Sequence, residues 1–352
     1  MAKQLPLRQC LGIDVSKNQL QVNISNQESD QRIRVIASTR FENTAKGLEK
    51  LCVWVSRHRV VGIEFRVVLE ATGVYHESAT YFLHEKGFEV AVVLPNKSKA
   101  YARSLNAKSK TDSIDAKILA QMGLERKLES WAPASQNMRR IKRLCRERVA
   151  LQDQKTTALN QLHAKNSEHK PEAKSQQRSK KLVQFLEKQI GQVENDIQSA
   201  INTDPALKEK IDQICLLKGL GWLTVATIIA ETDGFALFKN KGQLVSFAGY
   251  DVIQHESGSS VMGSTRISKK GNRHIRRALH FPALMAVRHE AQFKDLFERV
   301  FNKSFIKMKA YVAVQRKLLV LIFTLYKNNA AYDPHYYLNN QPKQNRQELS
   351  PA

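Results

Sequence analysis

Apolar residues in the N-terminal part of the chain follow two patterns that alternate along the sequence. Short apolar runs bounded by turn residues predict strands at 11–15, 20–24, 32–36, 67–70 and 88–94. Apolar residues spaced three or four apart predict helices at 43–55, 75–86 and 111–123. Three strands followed by alternating helices and strands predict a single mixed sheet with helices packed against it.

A long helical pattern occupies the middle of the chain, between residues 137 and 201. It contains a single proline, Pro171, and a single glycine, Gly191. The polar and basic stretch 165–181 predicts either the loop of a helical hairpin or a partly disordered tip. Apolar positions near heptad spacing predict a coiled-coil-like seam made of Leu182, Leu186, Ile190 (or Gln189), Val193 and Ile197.

The last part of the chain is again mainly helical in pattern. Asp204-Pro205 marks its start, and a stretch rich in Gly and Ser interrupts it at 249–272. After Ala330 the composition turns to Asn, Gln, Pro and Lys, which predicts a loose tail. We therefore expect four segments: an α/β domain at 1–130, a helical coiled-coil linker at 131–204, a mainly helical domain at 205–330 and a tail at 331–352.

The chain carries a large excess of positive charge. Its 56 Lys and Arg residues outnumber 33 Asp and Glu residues, which gives a formal net charge of +23. The excess is +6 over 1–130, +7 over 131–210 and +10 over 211–352, so it is not confined to a tail. A field of this sign predicts a polyanionic partner, above all nucleic acid. The alternative is a basic protein whose charge serves only solubility.

Several protein classes lack the sequence features that they require. The four cysteines are far apart and form no CxxC pair, which argues against a zinc ribbon and against a disulfide scaffold. No apolar run approaches the roughly 20 residues that span a bilayer, and residues 1–15 lack a signal-peptide layout. A Walker A loop and a GxGxxG motif are both missing. We expect a cytoplasmic location, no membrane and no nucleotide.

Four acidic residues stand where a metal site can form. Asp14 and Glu70 end predicted strands, and Asp112 and Asp115 leave the same face of a predicted helix because they are three residues apart. Two divalent cations held by such carboxylates stabilise the attacking and leaving oxygens of a phosphoryl transfer. The alternative is structural: Asp112 and Asp115 as an N-cap and its N3 partner, with Asp14 and Glu70 in turns. The order strand-Asp, strand-Glu, helix-Asp-x-x-Asp is that of a ribonuclease-H-like nuclease site.

Two features of the helical parts indicate phosphate binding. Gly219-Leu-Gly221 resembles a helix-hairpin-helix turn, whose backbone amides at a helix N-terminus bind phosphate, and its alternative is a plain turn. The helix at 138–163 bears a basic run that predicts a nucleic-acid track, the alternative being a solvated face. The run consists of Arg139, Arg140, Lys142, Arg143, Arg146 and Arg148.

The stretch from Gln254 to Arg273 combines a Gly- and Ser-rich loop with a basic cluster. A serine hydroxyl can attack a phosphodiester when basic groups clamp the phosphate, although most such loops are only loops. The residues expected to clamp it are Arg266, Lys269, Lys270 and Arg273. The residues expected to share one helix face behind it are Arg273, Arg276, Arg277 and His280.

Several motifs taken together in this order give the chain a resemblance to a known family. They are Gly12-Ile-Asp-Val-Ser-Lys17, Leu69-Glu-Ala-Thr-Gly-Val-Tyr75, Lys110-Thr-Asp-Ser-Ile-Asp-Ala-Lys117, Gly219-Leu-Gly221, Ser246-Phe-Ala-Gly249 and Ile267-Ser-Lys-Lys-Gly-Asn-Arg273. Over roughly residues 9–330 the chain resembles DEDD-type insertion-sequence transposases of the family numbered one hundred and ten. It is most similar to the eleven-eleven subgroup, with the Piv-type invertases as relatives. The resemblance implies an α/β RuvC-like (RNase H fold) N-terminal domain, a helical coiled-coil middle and a mainly α transposase domain with a helix-hairpin-helix-like element.

The resemblance also implies a chemistry. The acidic tetrad maps onto Asp14, Glu70, Asp112 and Asp115, which would hold Mg²⁺, and the nucleophilic serine maps onto Ser257. This chain has Tyr250-Asp-Val252 where the family usually has a proline, so Ser259 and Ser260 are second choices, while Ser246 and Ser268 are not favoured. The serine would form a phosphoserine bond to one DNA end and free a 3′-hydroxyl.

The partners that the resemblance implies are DNA, a guiding non-coding (bridge) RNA and further copies of the chain. RNA pairing would select the target and donor DNA, in a prokaryotic cytoplasm and on the nucleoid. Dimers would join into tetramers that place the serine of one protomer beside the acidic site of another, and the seam at 182–197 is the expected protomer contact. Two other functions fit the residues: a RuvC-like structure-specific nuclease that uses water, and a non-catalytic nucleic-acid-binding protein.

Overall fold

The computed structural model describes residues 5–106, 111–236, 238–253, 256–257, 261–262 and 265–336, with the backbone alone at 256–257 and 261–262. The chain divides into two compact units, Met1–Pro133 and Ala134–Ala352. The long helices of the middle segment belong to the second unit, so 131–204 is not a separate body between two domains.

The first unit is built on a five-stranded sheet with the order β3-β2-β1-β4-β5. The strands are β1 (Arg8–Val15), β2 (Gln19–Gln27), β3 (Ile33–Glu42), β4 (Glu64–Glu70) and β5 (Glu89–Val93). β1, β2 and β3 pair antiparallel, while β4 is parallel to both β1 and β5. The predicted mixed α/β sheet is therefore confirmed, with β1 to β4 longer and β5 shorter than the apolar runs alone indicated.

Four helices cover the two faces of this sheet. They are α1 (Ala45–His58), α2 (Tyr75–Glu85), α3 (Pro95–Ser104) and α4 (Asp112–Glu125). One face packs its buried residues against α1 and α2, and the opposite face packs Cys10 and Val68 with residues of α3 and α4. The apolar pattern does not predict α3, which begins at Pro95 directly after the predicted strand 88–94. Proline at the first helical position lacks only an N–H that would have no helical partner, so it starts α3.

The contact between β1 and α4 depends on a glycine in β1. A side chain on Gly12 would overlap the Ala116 carbonyl oxygen and the Ala120 backbone nitrogen, and it would lie 3.0 Å from the Ala120 Cα. All of these are backbone atoms of α4, which cannot move aside as a flexible side chain can. Gly12 therefore lets α4, which begins at Asp112, lie directly on the strand that carries Asp14.

The second unit begins with a helical hairpin, α5 (Gln136–Asn166) and α6 (Ala173–Asn202). The loop between the helices is only 167–172, so it is shorter than the loop or loose tip predicted at 165–181. The polar residues that suggested a loop instead form the solvated first turns of α6, capped by Glu172.

The predicted seam is largely present but turns inward. Val183, Leu186, Ile190, Val193 and Ile197 are buried, whereas Leu182 is 47% exposed. Val183 and Leu186 pack against Ala158 of α5, and Val193 and Ile197 join the core of the second unit. The expectation that this seam forms the contact between protomers was therefore wrong, because these side chains are already buried within one chain.

The remainder of the second unit is mainly helical, as predicted. Its helices are α7 (Pro205–Cys215), α8 (Trp222–Glu231), α9 (Lys241–Ala248), α10 (Arg273–Ala278), α11 (His280–His289), α12 (Ala291–Ser304) and α13 (Lys307–Asn328). Between α9 and α10 lie two antiparallel pairs, β6 (Val252–Ile253) with β9 (Arg266–Ile267), and β7 (Glu256–Ser257) with β8 (Val261–Met262). None of the helices described is long and apolar enough to cross a membrane.

Two Gly→Ala substitutions should have opposite effects. Gly12→Ala should lower the free energy of unfolding by about 1–3 kcal/mol, because the added methyl group overpacks the β1–α4 contact. Gly191→Ala should raise it by about 0.5–1 kcal/mol, because a methyl group there meets no atom within 4 Å and glycine weakens a helix interior. Differential scanning calorimetry of both variants tests this. A Gly12→Ala protein as stable as the wild type would contradict the packing argument.

Candidate functional site

Asp14 and Glu70 lie on one face of the sheet, on adjacent parallel strands. Side chains alternate between the faces of a strand, so Asp14 shares its face with Gly12 and Cys10, and Glu70 shares it with Val68. Ile13 pairs with Leu69, which places Asp14 and Glu70 one residue further along their two strands. α4 covers this same face. The sequence prediction that the two strand ends carry neighbouring carboxylates agrees with this register.

Asp112 and Asp115 lie in the first turn of α4. Thr111, and not Asp112, is the N-cap: its hydroxyl accepts a hydrogen bond from the Ile114 backbone N–H at 3.3 Å. The structural alternative, in which Asp112 caps the helix and Asp115 is its N3 partner, is therefore wrong. Both carboxylates benefit from the partial positive charge of a helix N-terminus.

The electrostatics of Asp14 tie the four carboxylates together. Partial burial and then the charges of Asp115, Asp112 and Glu70 raise the pKa of Asp14 from 3.8 to about 6. The other three carboxylates therefore all lie within electrostatic range of Asp14. In the part of the chain that the structure describes, no three such side chains already have a metal-binding arrangement. The chemistry of the donors nevertheless fits a hard divalent cation, because all four are carboxylates that repel one another.

A residue that sequence reasoning missed contacts this group. Ser98, on α3, is 5% exposed, and its hydroxyl donates to the Glu70 Oε2 at 2.5 Å. The contact holds one oxygen of Glu70 and leaves the other to accept a further partner. No spacing rule points to Ser98, because the helix that carries it was not predicted.

The basic helix α5 uses part of its charge inside the protein. Arg146 binds both carboxylate oxygens of Glu231, at 2.6 and 2.8 Å, and Arg148 binds Glu194 at 2.6 Å. Lys142 lies 3.9 Å from Glu231. Fewer basic residues of α5 are therefore left to bind nucleic acid than the run in the sequence suggested.

Three arginines of the track remain as candidates on α5. Arg140 and Arg143 are exposed, and Arg139 is half-buried. They lie in the first turns of α5, before the residues that bind Glu231 and Glu194.

The two glycines of the Gly219-Leu-Gly221 turn have different surroundings. The helices α7 and α8 flank the turn, as a helix-hairpin-helix element requires. Gly219 has a φ of +92°, and a side chain there would lie 2.5 Å from the Cβ of Met285 on α11. Gly221 begins α8 and has open space around it. The close approach at Gly219 is therefore to the protein itself, and Gly221 is the position that is open to a phosphate.

The basic residues after the serine loop do not form one phosphate-facing helix side. α10 ends at Ala278, so His280 begins a separate helix. Arg276 donates to the Ala248 carbonyl at 2.7 Å, and Arg277 forms a two-pronged ion pair with Asp153. The side chains of Arg276 and Arg277, expected on one helix face with Arg273 and His280, are therefore engaged within the protein. The exposed basic residues that remain here are Arg266, Lys269, Lys270 and Arg273.

Ser257 lies in β7, whose backbone pairs with that of Val261 in β8. Its side chain, and the second-choice serines Ser259 and Ser260, lie outside the residues described. Ser246 lies within α9. Ser268 has a structural contact, since its hydroxyl donates to the Asp251 carboxylate at 2.8 Å.

Two models of transposase families match the chain: one covers most of the first unit and continues through α5 of the second, and the other lies within the second unit. The model of the DEDD transposases of IS110 matches residues 11–171, and the model described as "Transposase IS116/IS110/IS902 family" matches residues 212–298. Together they account for about seven tenths of the chain.

Similar proteins include DNA-inverting and insertion-sequence proteins. The pilin gene-inverting proteins of Moraxella bovis and Moraxella lacunata are each 25% identical over 325 residues, 92% of this chain and 97% of theirs. An uncharacterised 42 kDa protein of insertion element IS900 from Mycobacterium paratuberculosis is 24% identical over 186 residues, 51% of this chain and 45% of its own.

A solved structure of Thermus thermophilus RuvC is 12% identical over 35% of the chain and 99% of its own length, with a TM-score of 0.27. A complex of T. thermophilus RuvC with a Holliday junction matches 32% of this chain and 90% of its own, with a TM-score of 0.24. Both family models and the relatives at nearly full length lead to one assignment: the chain belongs to the IS110 family of DEDD transposases, which are DNA recombinases.

Proposed function

We propose that this transposase joins element DNA to target DNA through a serine nucleophile and a Mg²⁺-dependent acidic site made of Asp14, Glu70, Asp112 and Asp115. A structured non-coding RNA would supply the choice of sites. The observation that carries the proposal is the grouping of three further carboxylates around Asp14, whose charges add to partial burial in raising its pKa to about 6. In a chain of net charge +23, such a grouping of negative charge has a physical cost that a bound cation removes.

The acidic residues have distinct tasks in this proposal. A divalent cation bound there would supply Lewis-acid stabilisation of charge on the scissile phosphate. Asp14 and Glu70 would hold it from the rigid sheet, and Asp112 and Asp115 from the start of α4. Ser98 would keep the Glu70 carboxylate in one orientation through the 2.5 Å hydrogen bond. The closeness of α4 to β1, which Gly12 permits, would keep the two pairs together.

The serine has the second task. Its oxygen would form a bond to phosphorus while the bond from phosphorus to the 3′-oxygen breaks, and the serine proton would pass to that oxygen. A phosphoserine linkage to one DNA end and a free 3′-hydroxyl result. Attack by another 3′-hydroxyl would reverse the step and restore the serine. The bond energy is kept throughout, so rejoining needs no nucleotide.

The basic residues that remain as candidates for phosphate contacts would hold the polyanionic partners. The candidates for phosphate contacts of DNA or RNA are Arg139, Arg140 and Arg143 on α5, and Arg266, Lys269, Lys270 and Arg273 between β9 and the start of α10. The open N-terminus of α8 at Gly221 is a further candidate. We propose that the protein acts on nucleoid DNA in a prokaryotic cytoplasm, and that it self-associates as dimers and tetramers. The contact between protomers would then lie outside the buried α5–α6 seam.

Asp14→Asn should stabilise the metal-free protein. The folded-state pKa of Asp14, about 6, lies above its ordinary 3.8, so the ionised carboxylate opposes folding in full above about pH 6, and this penalty is lost as the pH falls from 6 to 3.8. The substitution should therefore raise the Tm of the first unit by roughly 3 °C at about pH 8, corresponding to about 1 kcal/mol after allowance for solvent screening. The gain should disappear by about pH 4.

Thermal melts in a chelator, over a pH series, make this measurement. Asp30→Asn is the matched control, because Asp30 is an exposed carboxylate beside Arg32 and should leave the Tm unchanged. Added Mg²⁺ should raise the Tm of the wild type and not that of Asp14→Asn. A stability loss in metal-free Asp14→Asn at about pH 8 would contradict the electrostatic account.

Ser257→Ala should abolish a covalent protein–DNA adduct. The assay incubates the protein with element-end DNA, the flanking non-coding RNA and Mg²⁺, and then detects adducts that survive denaturation. Wild type should form the adduct, Asp14→Ala should form much less, and Ser257→Ala should form none while binding DNA as well as wild type does. Ser246→Ala is the matched control and should keep the adduct.

The same assay decides between the alternatives. DNA that is cut without an adduct, equally in wild type and in Ser257→Ala, would support a RuvC-like nuclease that uses water. Nucleic acid that is bound but neither cut nor trapped, with or without Mg²⁺, would support a non-catalytic binding protein. An adduct kept by Ser257→Ala but lost in Ser259→Ala or Ser260→Ala would move the nucleophile within the loop.

Substitution of exposed arginines and of internally paired arginines should have different effects on the salt dependence of DNA binding. Each lost phosphate contact reduces the slope of log K against log salt by about 1. The double substitution Arg140→Ala and Arg273→Ala should therefore reduce the slope by about 2. Arg148→Ala should leave it unchanged, because Arg148 is bound to Glu194. Fluorescence polarisation over a salt series measures both, and equal slopes in all three proteins would remove these arginines from the contact surface.

A further inference from the structure

Glu231 is the most buried acidic residue in the part of the chain that the structure describes. It ends α8, a helix whose other residues are almost all apolar, and only 2% of it is exposed. An ionised carboxylate buried to this degree is stable only when its partners replace the lost water. The identity of those partners therefore shows what holds it there.

The partners come from two other elements. Arg146 of α5 grips both carboxylate oxygens, and the side-chain amide of Asn272 donates to the Glu231 Oε2 at 2.7 Å. Burial alone would raise the pKa of Glu231. The hydrogen bonds from Arg146 and Asn272, and the charges of Arg146 and Lys142, outweigh burial and lower the pKa below its ordinary value. Both carboxylate oxygens of Glu231 thus accept hydrogen bonds from within the protein.

Asn272 lies at the point where the serine ribbon returns to the helical core. We use the term serine ribbon for residues 249–272, from the end of α9 to the start of α10. The Asn272 backbone N–H donates to the Phe247 carbonyl at 2.7 Å, and its side-chain oxygen caps α10 by accepting from the His274 and Ile275 N–H groups. One residue thus ties the ribbon to α8, α9 and α10.

The two ends of the ribbon are pressed together next to this residue. A side chain on Gly271 would lie 2.5 Å from the Gly249 nitrogen, and one on Gly249 would lie 2.7 Å from a guanidinium nitrogen of Arg276. The Lys269 N–H donates to the Gly249 carbonyl at 3.1 Å, and the Ser268 N–H donates to the Asp251 carbonyl at 2.8 Å. The basic motif that suggested phosphate binding thus serves, at its glycine and asparagine, to close the base of the ribbon.

We infer that Glu231 is a positioning residue for the serine: with Arg146 and Asn272 it anchors the base of the serine ribbon to α5 and α8. The inference rests on the proposed role of Ser257. Among the described residues, Arg146 and Asn272 bind the two oxygens of Glu231, so Glu231 would act on the serine through them. Its effect is to fix the frame from which β7 extends, and a displacement of about 1 Å in a reacting group can cost about 100-fold in rate.

The test compares Glu231→Gln with Glu194→Gln. Both substitutions remove the acidic partner of an arginine on α5, but Glu194, on α6, pairs with Arg148 within the helical hairpin. With saturating DNA, guide RNA and Mg²⁺, Glu231→Gln should slow formation of the serine–DNA adduct by about 10- to 100-fold. The DNA dissociation constant should stay unchanged. Glu194→Gln should form the adduct at the wild-type rate.

A second readout is independent of the serine chemistry. Hydrogen–deuterium exchange should become about tenfold faster or more in the peptide covering 265–272 of Glu231→Gln, and stay unchanged in the peptide covering α7. Asn272→Ser serves if Glu231→Gln does not fold, because serine keeps a helix N-cap oxygen but lacks the amide that reaches Glu231. Asn272→Ser should give the same two effects.

The outcomes separate the inference from the proposed function. If exchange at 265–272 is faster in Glu231→Gln but the wild type forms no serine–DNA adduct, the anchor is retained and the serine mechanism is refuted. Faster exchange with an unchanged rate of adduct formation would overturn the positioning role. Unchanged exchange, or exchange that rises equally over the whole second unit, would overturn the anchor itself.

Discussion

The candidate acidic site is defined by the repulsion among four carboxylates, two at adjacent strand ends and two in the first turn of the helix that covers that face of the sheet. Burial and three like charges raise the pKa of Asp14 to about 6, so the metal-free site opposes the fold that creates it. Close packing between α4 and β1 imposes this electrostatic cost. Gly12 allows the backbone of α4 to lie directly on β1, and the same contact brings the first turn of α4 towards the strand ends. A bound divalent cation would remove the repulsion among the carboxylates, and this relief would contribute to its binding.

The second unit handles a buried carboxylate in the opposite way. Glu231 is more buried than Asp14, yet its pKa is lowered, because Arg146 and Asn272 supply direct hydrogen bonds where Asp14 meets like charges. A carboxylate whose partners are built into the protein is structural, and one surrounded by other carboxylates is left to bind something else. This contrast supports the acidic tetrad as the candidate chemical site and Glu231 as an anchor.

The basic residues show why net charge overstates a binding surface. The chain's excess of +23 indicated a polyanionic partner, and assignment to a transposase family agrees with a DNA substrate. Yet Arg146, Arg148, Arg276 and Arg277 are committed to Glu231, Glu194, Ala248 and Asp153. The basic residues that remain as candidates for phosphate contacts are therefore fewer than the net charge suggests.

The sequence by itself determined the strands and most helices of the first unit, the long helical hairpin, the family and the four acidic positions. These depend on local periodicity and on motifs whose order survives in the linear chain. Only the tertiary structure decided that Thr111 caps α4, that Ser98 holds Glu70, that the seam at 183–197 faces inward and that Glu231 anchors the serine ribbon. Apart from the Thr111 cap, which is a local contact with Ile114, each joins groups brought together only by packing. A hydrogen bond between residues 272 and 231 leaves no periodic trace in the sequence, because its partners come from separate elements.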